Sequence, residues 1–338
     1  MSIDITVKGI AAFLSDAWQT PVEISEVAPA SAGARRRNVL FTAYRDGEPM
    51  RLVATIIHHA GLQIMTVETE AATLRLAEDA GVAVAHVQAV CMDPAYVGGP
   101  FFVTNQIAGE TVGRQILRLV EANAGLGPTI AHGIGESLAK LHAVDPALAH
   151  PALERPALGT TAIDAALAHV RAQLDVLLQP SPVFELAYAW LDSHRPQARQ
   201  RLTVVHRDCR NGNIIVGPDG LRAILDWEVA HLGEPMEDLA WMCVRMWRFR
   251  NDELEVGGFA ARDDLRAGYE AAGGAWDEPS FFWWKLYSTL RWGLGLAGQA
   301  RAHLDGTFSS IVMAGSGRRV GELEYDCLML LKNQFSPS

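Results

Sequence analysis

The segment VVHRDCRNGNIIVGPDGLRAILDWE, residues 204–228, contains residue types that could transfer a phosphoryl group. Asp208 lies in a polar loop after two valines, Asn213 follows it after a short gap, and Asp226 ends a second apolar run. Carboxylate and amide oxygens are the ligands that Mg²⁺ prefers, and it usually takes only one or two of them from a protein. We interpret Asn213 and Asp226 as metal ligands, and Asp208 as the group that accepts or orients the proton of an attacking hydroxyl.

These three side chains require a hairpin to bring them together. Two apolar runs, 214–216 and 221–225, flank Gly217-Pro218-Asp219-Gly220. Proline presets φ and glycine permits positive φ, so this sequence predicts a tight turn between two strands. The hairpin would place Asn213 and Asp226 at the same end, beside the loop that holds Asp208. The alternative, in which Asp208 caps a turn and Asn213 fills a loop, does not account for the whole pattern.

The rest of the chain divides into a mixed part and a helical part. Asp46-Gly47 between β-rich runs indicates a hairpin, and the segment 68–80 has helical character up to Gly81. After about residue 110, apolar residues recur at helical spacing over most of the chain. We therefore predict an α+β fold with a small β-rich lobe at 1–107, ending in a hinge, and a helical lobe at 108–338.

Composition excludes several classes of protein. The chain has 338 residues, is 49% hydrophobic and 20% charged, and carries a net charge of −10. An acidic chain repels nucleic acid, so we expect no nucleic-acid partner. Four scattered cysteines without CxxC spacing argue against zinc and disulfides, and favour a reducing cytoplasmic compartment. The N-terminus does not resemble a signal peptide, and Lys285 and Arg291 interrupt the most apolar stretch, so we expect no membrane span. No feature specifies an oligomeric state.

The motif HRDCRNGNIIV, followed by ILDWEVAHLGEPMEDLAW, resembles the aminoglycoside phosphotransferase and choline kinase-like family. It is most similar to the branch whose kinase-like domain also occurs fused to acyl-CoA dehydrogenases. The segments DPAYVGGPFFVTNQIAGE, GESLAKLHAVDP and RWGLGLAGQARAHLDG support the same branch. The resemblance implies a protein kinase-like two-lobed fold that binds ATP between its lobes. It also implies Mg²⁺-dependent phosphorylation of a small-molecule hydroxyl, with the helical lobe holding the acceptor.

The resemblance implies further roles for single residues. Asp208 would be the catalytic base, Asp238 would brace the loop around it, and backbone groups of Asn105 and Ile107 would hold adenine. Family members usually have glycine where this chain has Arg207. Protein kinases have arginine there and pair it with a phosphate on an activation loop. The short segment between Asp226 and Glu237 leaves no room for such a loop, so we expect no phosphorylation switch.

The sequence departs from the family pattern on the third strand. Kinases carry a lysine or arginine there, paired with a helix glutamate, to contact the α- and β-phosphates. By resemblance the glutamate is Glu70 and the basic position holds Thr55. One explanation is another cation: Arg51, on the same face as Thr55, or Arg35, Arg36 or Arg37 on a phosphate loop SAGARRRN that contains Gly33.

Other interpretations remain open for this region. The register could differ by a few residues, which would bring His58 or His59 to the basic position. Nucleotide binding could be altered or lost, which would make the chain a catalytically impaired, pseudokinase-like binding module. The loop around Gly33 could be a solvated basic turn, and Glu70 a solvent-facing helix charge. We favour a substitute cation because the motif around Asp208 is complete.

The sequence predicts only the chemical class of the phosphoryl acceptor. Four arginines in the C-terminal half would suit a carboxylate-bearing acceptor: Arg245, Arg248, Arg250 and Arg291. We expect a small hydroxylated metabolite rather than an antibiotic. Cys209, next to Asp208, has no evident orienting base, and we interpret it as a small buried side chain.

Overall fold

The computed structural model describes most of the chain, namely residues 3–29, 36–57, 64–197, 202–332 and 334. The predicted phosphate-loop residues Gly33 and Arg35 lie outside these ranges, as do His58 and His59.

The N-terminal part contains a five-stranded antiparallel sheet, as predicted for a β-rich lobe. Its elements are helix α1 (Ile3–Trp18), strands β1 (Val22–Pro29), β2 (Arg36–Arg45) and β3 (Glu48–Ile57), helix α2 (Val67–Asp79), and strands β4 (Val87–Cys91) and β5 (Phe101–Asn105). The strand order is β1-β2-β3-β5-β4. Asp46 and Gly47, both with positive φ, form the β2–β3 turn, which confirms the hairpin. Buried aliphatic and aromatic residues from the sheet and α1 form a core on one face.

Helix α2 packs a buried carboxylate, that of Glu70, against the sheet. Thr66 caps its N-terminus by accepting the backbone N–H of Thr69, and Gly81, with φ of 78°, follows its C-terminus as the sequence indicates. Glu70 lies in the first turn and is only 2% exposed. A solvent-facing position for this glutamate is therefore excluded.

The remaining residues are mainly helical. The helices are α3 (Gly113–Ala122), α4 (Leu126–Ala143), α5 (Ala162–Leu174), α6 (Pro182–Ser193), α7 (Pro235–Met242), α8 (Arg262–Ala271), α9 (Glu278–Leu304), α10 (Ile311–Ser316) and α11 (Val320–Lys332), with short 3₁₀ turns at Pro146–Leu148, Arg245–Arg248 and Gly317–Arg319. Four short strands interrupt them: β6 (Thr203–Val205), β7 (Ile214–Gly217), β8 (Gly220–Ile224) and β9 (His231–Gly233). Strand β6 pairs with β9, and β7 pairs with β8.

The apolar stretch that begins at Phe281 lies inside this helical part. It belongs to α9, whose side chains Trp283, Trp284 and Tyr287 are buried in the main core. No helix within the described ranges is long and apolar enough to cross a membrane. The α+β, two-lobed, kinase-like architecture agrees with the prediction, and the division at residue 107 remains a prediction.

All four cysteines are buried and reduced. Cys91 lies in β4, Cys209 lies beside Asp208, and Cys243 and Cys327 pack among the C-terminal helices. Burial raises the pKa of each thiol, that of Cys243 to about 12. Cys209 is therefore the inert, small buried side chain that the sequence indicates.

The segment after β5 is attached to the helical part by backbone pairing. Glu110 and Val216 exchange both N–H···O=C hydrogen bonds, at 2.8 and 3.0 Å. Arg222 donates from Nη1 to the carbonyl of Ala108 at 2.8 Å. At Gly109, whose φ is 151°, a Cβ would lie 2.6 Å from the carbonyl oxygen of Val216. The chain leaving the sheet is thus fixed to β7 immediately after residue 108.

Candidate active site

The β7–β8 hairpin brings Asn213 and Asp226 to the same end, as predicted. Ile214 pairs with Ile224, and the next residue, Leu225, donates its backbone N–H to the carbonyl of Asn213 at 2.8 Å. The tight turn is present as predicted, because Gly217 and Gly220 pair with each other and Pro218 and Asp219 connect the strands. Asp226 has φ of 67°, a strained conformation for a residue other than glycine.

Asp238, in the first turn of α7, fixes the backbone of the Asp208 loop (residues 206–213). Its carboxylate accepts the backbone N–H of His206 at 2.8 Å and that of Arg207 at 2.6 Å. It also contacts Nε2 of His142 at 3.1 Å. This fully buried aspartate makes the contacts that the family resemblance implies for it.

His206 joins the Asp208 loop to the hairpin. Its Nδ1 accepts the backbone N–H of Asp208 at 3.1 Å, and its Nε2 lies 3.0 Å from the carbonyl oxygen of Leu225. Burial lowers the pKa of His206 even though Asp238 and Asp208 oppose this change. The neutral ring therefore donates from Nε2 and accepts at Nδ1, which holds the loop and the hairpin in one register.

Both carboxylate oxygens of Asp208 are held by side-chain donors. Oδ2 accepts from Nδ2 of Asn213 at 2.6 Å, while Oδ1 accepts from Nε1 of Trp241 at 2.9 Å and from Nε of Arg210 at 3.2 Å. Because Asn213 uses its amide nitrogen here, its amide oxygen has no partner among the described residues. That oxygen is the atom of an asparagine that can bind a metal ion.

Arg36 pairs with Glu70, so a cation meets the α2 glutamate even though Thr55 stands at the usual basic position on β3. The two guanidinium nitrogens lie 2.8 and 2.9 Å from the two oxygens of Glu70, a bidentate pair. The same guanidinium lies 2.8 Å from a carboxylate oxygen of Glu228 and 4.0 Å from one of Asp226. The cation that meets the α2 glutamate therefore comes from the start of β2, on the strand next to β3.

Three carboxylates thus surround one guanidinium. Burial raises the pKa of Glu70, and Asp226 and Glu228 act in the same direction, whereas Arg36 opposes them. The pKa of Arg36 is raised although burial would lower it, since Glu70, Glu228 and Asp226 stabilise its charge. The cluster has more negative than positive charge, and Asp226 is 39% exposed. A divalent cation bound by Asp226 and the amide oxygen of Asn213 would balance this charge.

Thr55 lies on the third strand, β3, and no charged residue described on that strand pairs with Glu70. It pairs with Asn38 on β2 and with Phe102 on β5 and is partly buried. Arg51, the alternative cation on β3, is exposed. Arg36 and Arg37 begin strand β2 rather than lying in a loop, which corrects the sequence interpretation.

In the segment predicted to hold adenine, one residue has backbone groups free to bind a ligand. The backbone N–H of Asn105 already donates to the carbonyl of His86 at 3.0 Å, and its side chain accepts from Gln88. Among the residues that the structure describes, Ile107 makes no backbone hydrogen bond and is partly buried. The N–H and carbonyl of Ile107 are therefore available to a ligand, whereas Asn105 retains only its carbonyl for this purpose.

Aromatic rings pack next to Asp208 on the helical side. Trp241, Trp247 and Trp292 contact one another, with ring centroids 5.1 to 5.9 Å apart. Arg210 lies over Trp247 at 4.8 Å and Arg291 over Trp241 at 4.0 Å. The aromatic cluster therefore forms one wall beside the carboxylate of Asp208.

Most of the arginines predicted to bind the acceptor have protein partners. Arg245 pairs with Asp252 and Asp326. Arg248 donates to the carbonyl of Cys243 and lies 3.9 Å from Glu255, and Arg291 donates to the carbonyl of Arg207. Arg250 is exposed. Arg210, which the sequence interpretation did not include, is the arginine that contacts Asp208.

The sequence alone identifies neither Arg210 nor Glu228 as a member of the site, and it assigns Trp241 to the core or to the wall of an acceptor pocket. Arg210 and Glu228 each lie two residues after an aspartate of the motif, a spacing that could have drawn attention to them. Trp241 lies three residues after Asp238, on the same face of a helix. The contact of Trp241 with Asp208 follows only from the tertiary structure.

Comparison with known proteins shows the family and the fold of the chain. A model of the phosphotransferase enzyme family matches residues 26–279, which is more than half of the chain. The chain belongs to this family. The mouse protein acyl-CoA dehydrogenase family member 10 is 26% identical over 279 residues, which are 77% of this chain and 25% of that protein. Human acyl-CoA dehydrogenase family member 11 is 27% identical over 44% of this chain and 19% of its own length. The chain thus spans about a quarter or less of these curated relatives.

Solved structures share the fold at low identity. A putative aminoglycoside phosphotransferase from Ralstonia eutropha has a TM-score of 0.73 and 22% identity, covering 96% of this chain and 98% of its own. A choline/ethanolamine kinase family protein from Mesorhizobium loti has a TM-score of 0.59 and 19% identity, covering 93% and 89%. A thermostable aminoglycoside phosphotransferase mutant, in ternary complex with AMP-PNP and hygromycin B, has a TM-score of 0.64 and 16% identity, covering 97% and 100%.

Proposed function

We propose that this protein transfers the γ-phosphoryl group of ATP, with Mg²⁺, to a hydroxyl of a small molecule. The observation that carries the proposal is the joint placement of Asp208, Asn213 and Asp226 next to the Arg36–Glu70 pair. Phosphoryl transfer has a loose transition state, so it depends on positioning and on charge neutralisation more than on covalent chemistry. This site supplies carboxylates, an amide and a guanidinium in that arrangement.

In this proposal each residue has one task. Asp208 accepts or orients the proton of the acceptor hydroxyl. That hydroxyl takes the place of Arg210 or another donor at the carboxylate of Asp208. Asn213 and Asp226 would hold Mg²⁺, and Arg36, oriented by Glu70, would contact the phosphates in place of a lysine at Thr55. Bound Mg²⁺-ATP supplies the phosphoryl group and a cation that neutralises the charge developing on the β–γ bridge.

The proposed acceptor is a small hydroxylated metabolite. Trp247 and Arg210 present a stacked aromatic and cationic surface beside Asp208. Such a surface suits a planar or negatively charged group better than a polycationic antibiotic. The aminoglycoside phosphotransferase whose structure contains hygromycin B is only 16% identical to this chain.

A second candidate is a nucleotide-binding module without turnover. The observation that favours it is Thr55, which lacks the charge usual at its position on β3. A thermal-shift titration with ATP, with and without Mg²⁺, tests nucleotide binding in either case, because a ligand of the native state raises the melting temperature. Turnover then separates the two candidates.

The deciding experiment is a Mg²⁺-ATP transfer assay against a library of hydroxylated metabolites, with wild-type protein and Asp208→Asn. We expect product with the wild type and at least a thousandfold lower rate with Asp208→Asn, because the general base is lost. ATP binding should persist in that variant. Asp219→Asn, on the exposed β7–β8 turn, serves as the control. Equal rates for wild type and Asp208→Asn would remove Asp208 from its role, and binding without turnover would favour the second candidate.

A further inference from the structure

A cavity separate from the candidate active site lies beside the Asp208 loop. It has a volume of about 60 Å³, and its lining includes Arg207, His169, Glu237, Trp284 and Tyr287. None of Asp208, Asn213 and Asp226 lines it. A single water needs roughly 10–15 Å³ by the same kind of measure, so this space holds several waters or one small polar group.

Several buried donors of this cavity form no hydrogen bond with the described residues: Nε of Arg207, Nε1 of Trp284 and the hydroxyl of Tyr287. Nε of Arg207 lies 3.4 Å from a carboxylate oxygen of Glu237, an ion pair without hydrogen-bond geometry. Tyr287 contacts the Arg207 guanidinium, which can only donate, so the hydroxyl proton still has no acceptor. Trp284 is 1% exposed. A buried donor without a partner costs about 1–3 kcal/mol, so the absence of acceptors at several donors indicates a place for a ligand rich in acceptor atoms.

Arg207 occupies this place at a conformational cost. Its φ is 68°, which favours glycine and costs other residues on the order of 1 kcal/mol. Its backbone N–H and carbonyl are bonded to Asp238 and Arg291, so a glycine would preserve the same backbone contacts. The arginine side chain is itself part of the cavity lining. Binding of a ligand by its guanidinium would therefore explain why arginine, and not glycine, stands at this strained position.

The charges around the cavity favour an anion. Burial tends to raise the pKa of Glu237, but His231, Arg207 and Arg291 lower it to about 2, so its negative charge is already compensated. Glu154, at the mouth, is 70% exposed and screened by solvent. The pKa of His169 is lowered to about 4 by burial and then by Arg207 and Arg291. The contributions of Arg207 and Arg291 to this change indicate a positive potential beside the cavity.

We propose that this cavity binds a small oxyanion, a carboxylate or a phosphate group, through Arg207, Trp284 and Tyr287. All three supply donors. The two carboxylates in the lining, Glu154 and Glu237, already face the guanidinium of Arg207, which disfavours a metal cation. Since Arg207 precedes Asp208, a bound anion would also restrain the Asp208 loop from the side opposite its carboxylate contacts. The cavity is then a second ligand site, independent of turnover.

The test uses the indole N–H resonances of ¹⁵N-labelled protein, in which Trp284→Phe identifies the Trp284 signal among the nine tryptophans. Trp241→Phe identifies the signal next to Asp208, which reports anions that bind at the Asp208 site. Inorganic phosphate, acetate and acetamide are titrated at constant ionic strength. Acetamide matches acetate in shape but has no charge. We expect the Trp284 signal to shift saturably with phosphate or acetate, and not with acetamide.

A donor-deletion variant makes the test specific. Tyr287→Phe removes one hydroxyl and keeps the ring, and we expect it to weaken anion binding about tenfold, because hydrogen bonds to charged groups contribute about 1.5–3 kcal/mol. Tyr188→Phe, on α6 and outside the cavity lining, should bind as the wild type does. A Trp284 signal that does not move, that responds equally to acetamide, or that is unaffected by Tyr287→Phe would overturn the proposal, as would shifts confined to Trp241.

Discussion

At the scale of single residues, the site depends on one guanidinium with several carboxylate partners. Arg36 pairs with Glu70 through both nitrogens and also contacts Glu228. Lysine at the usual β3 position would reach Glu70 from a different strand and with a single point of contact. The geometry therefore explains how Thr55 can be tolerated within the proposed phosphate site.

Arg36→Met tests this substitution directly. We expect the KM for ATP to rise at least tenfold and the free energy of unfolding to fall by about 3 kcal/mol, because Glu70 would be a buried charge without a partner. Kinetics and urea denaturation measure the two effects. The double variant Arg36→Met/Glu70→Gln should recover stability but not ATP affinity.

Arg51→Met is the matched control for that experiment, because Arg51 is the exposed cation on β3. We expect it to keep the wild-type KM and stability. A larger loss of ATP affinity in Arg51→Met than in Arg36→Met would assign the phosphate contact to β3 instead.

Trp241 positions the carboxylate of Asp208 through its indole N–H. We expect Trp241→Phe, which keeps most of the ring, to lower kcat about tenfold while leaving the KM for ATP unchanged, since a charged hydrogen bond is lost away from the nucleotide. Trp276→Phe is the control, because Trp276 also donates to a carboxylate, that of Glu278, on the surface. A rise in the KM for ATP with constant kcat would contradict a positioning role.

At the scale of elements, backbone pairing couples the segment after β5 to the β7–β8 hairpin. Glu110 and Val216 form a two-bond bridge, and Gly109 makes the approach possible. The chain can therefore rotate between Gln106, whose backbone N–H donates to the carbonyl of Arg51, and Ala108, whose carbonyl accepts from Arg222. This span is the part of the connection free to act as a hinge.

Gly109→Ala should break that attachment. Its Cβ would lie 2.6 Å from Val216, and its φ of 151° suits only glycine, so we expect the free energy of unfolding to fall by about 2–3 kcal/mol. Urea denaturation measures the loss. Gly125→Ala is the control: it has φ of 83° but open space around its Cβ, and we expect about 1 kcal/mol. Equal losses would show that contact with β7 is unimportant.

The elements that sequence predicted best are those with local signals. Asp46-Gly47 and Pro218-Asp219 each specify a turn from neighbouring residues, and Gly81 marks the end of α2. The Asp208 motif also lies within one short stretch of chain, so its geometry could be derived. The Arg36–Glu70 pair joins residues 34 positions apart in different elements, and only the packing of α2 on the sheet brings them together. The partners of Arg245 and Arg248 likewise depend on helix packing.

At the scale of the whole molecule, buried charge ties stability to pH. The pKa of Glu237 is about 2 in the folded protein, compared with an ordinary value of 4.5. Its ionised form contributes stability that is fully present above pH 4.5 and is lost as the pH falls towards 2. His231, on β9, and Arg207 provide the stabilising contacts.

Glu237→Gln should therefore have a pH-dependent effect. We expect a loss of about 3 kcal/mol in the free energy of unfolding at neutral pH, because the native ion pairs disappear. The difference from wild type should shrink as the pH is lowered below 4.5. Urea titrations across the range in which the wild type stays folded measure it. A difference that is constant with pH would mean that Glu237 is not ionised in the native state.

The burial of every cysteine gives the two lobes separate chemical reporters. Cys91 is in the sheet lobe, while Cys209, Cys243 and Cys327 are in the helical lobe, and none can meet an alkylating reagent while its surroundings stay closed. Alkylation followed by peptide mass analysis would then time the opening of each region separately. If nucleotide slows alkylation of Cys209 more than that of Cys327, the comparison shows how far from the cleft ligand binding reduces opening of the structure.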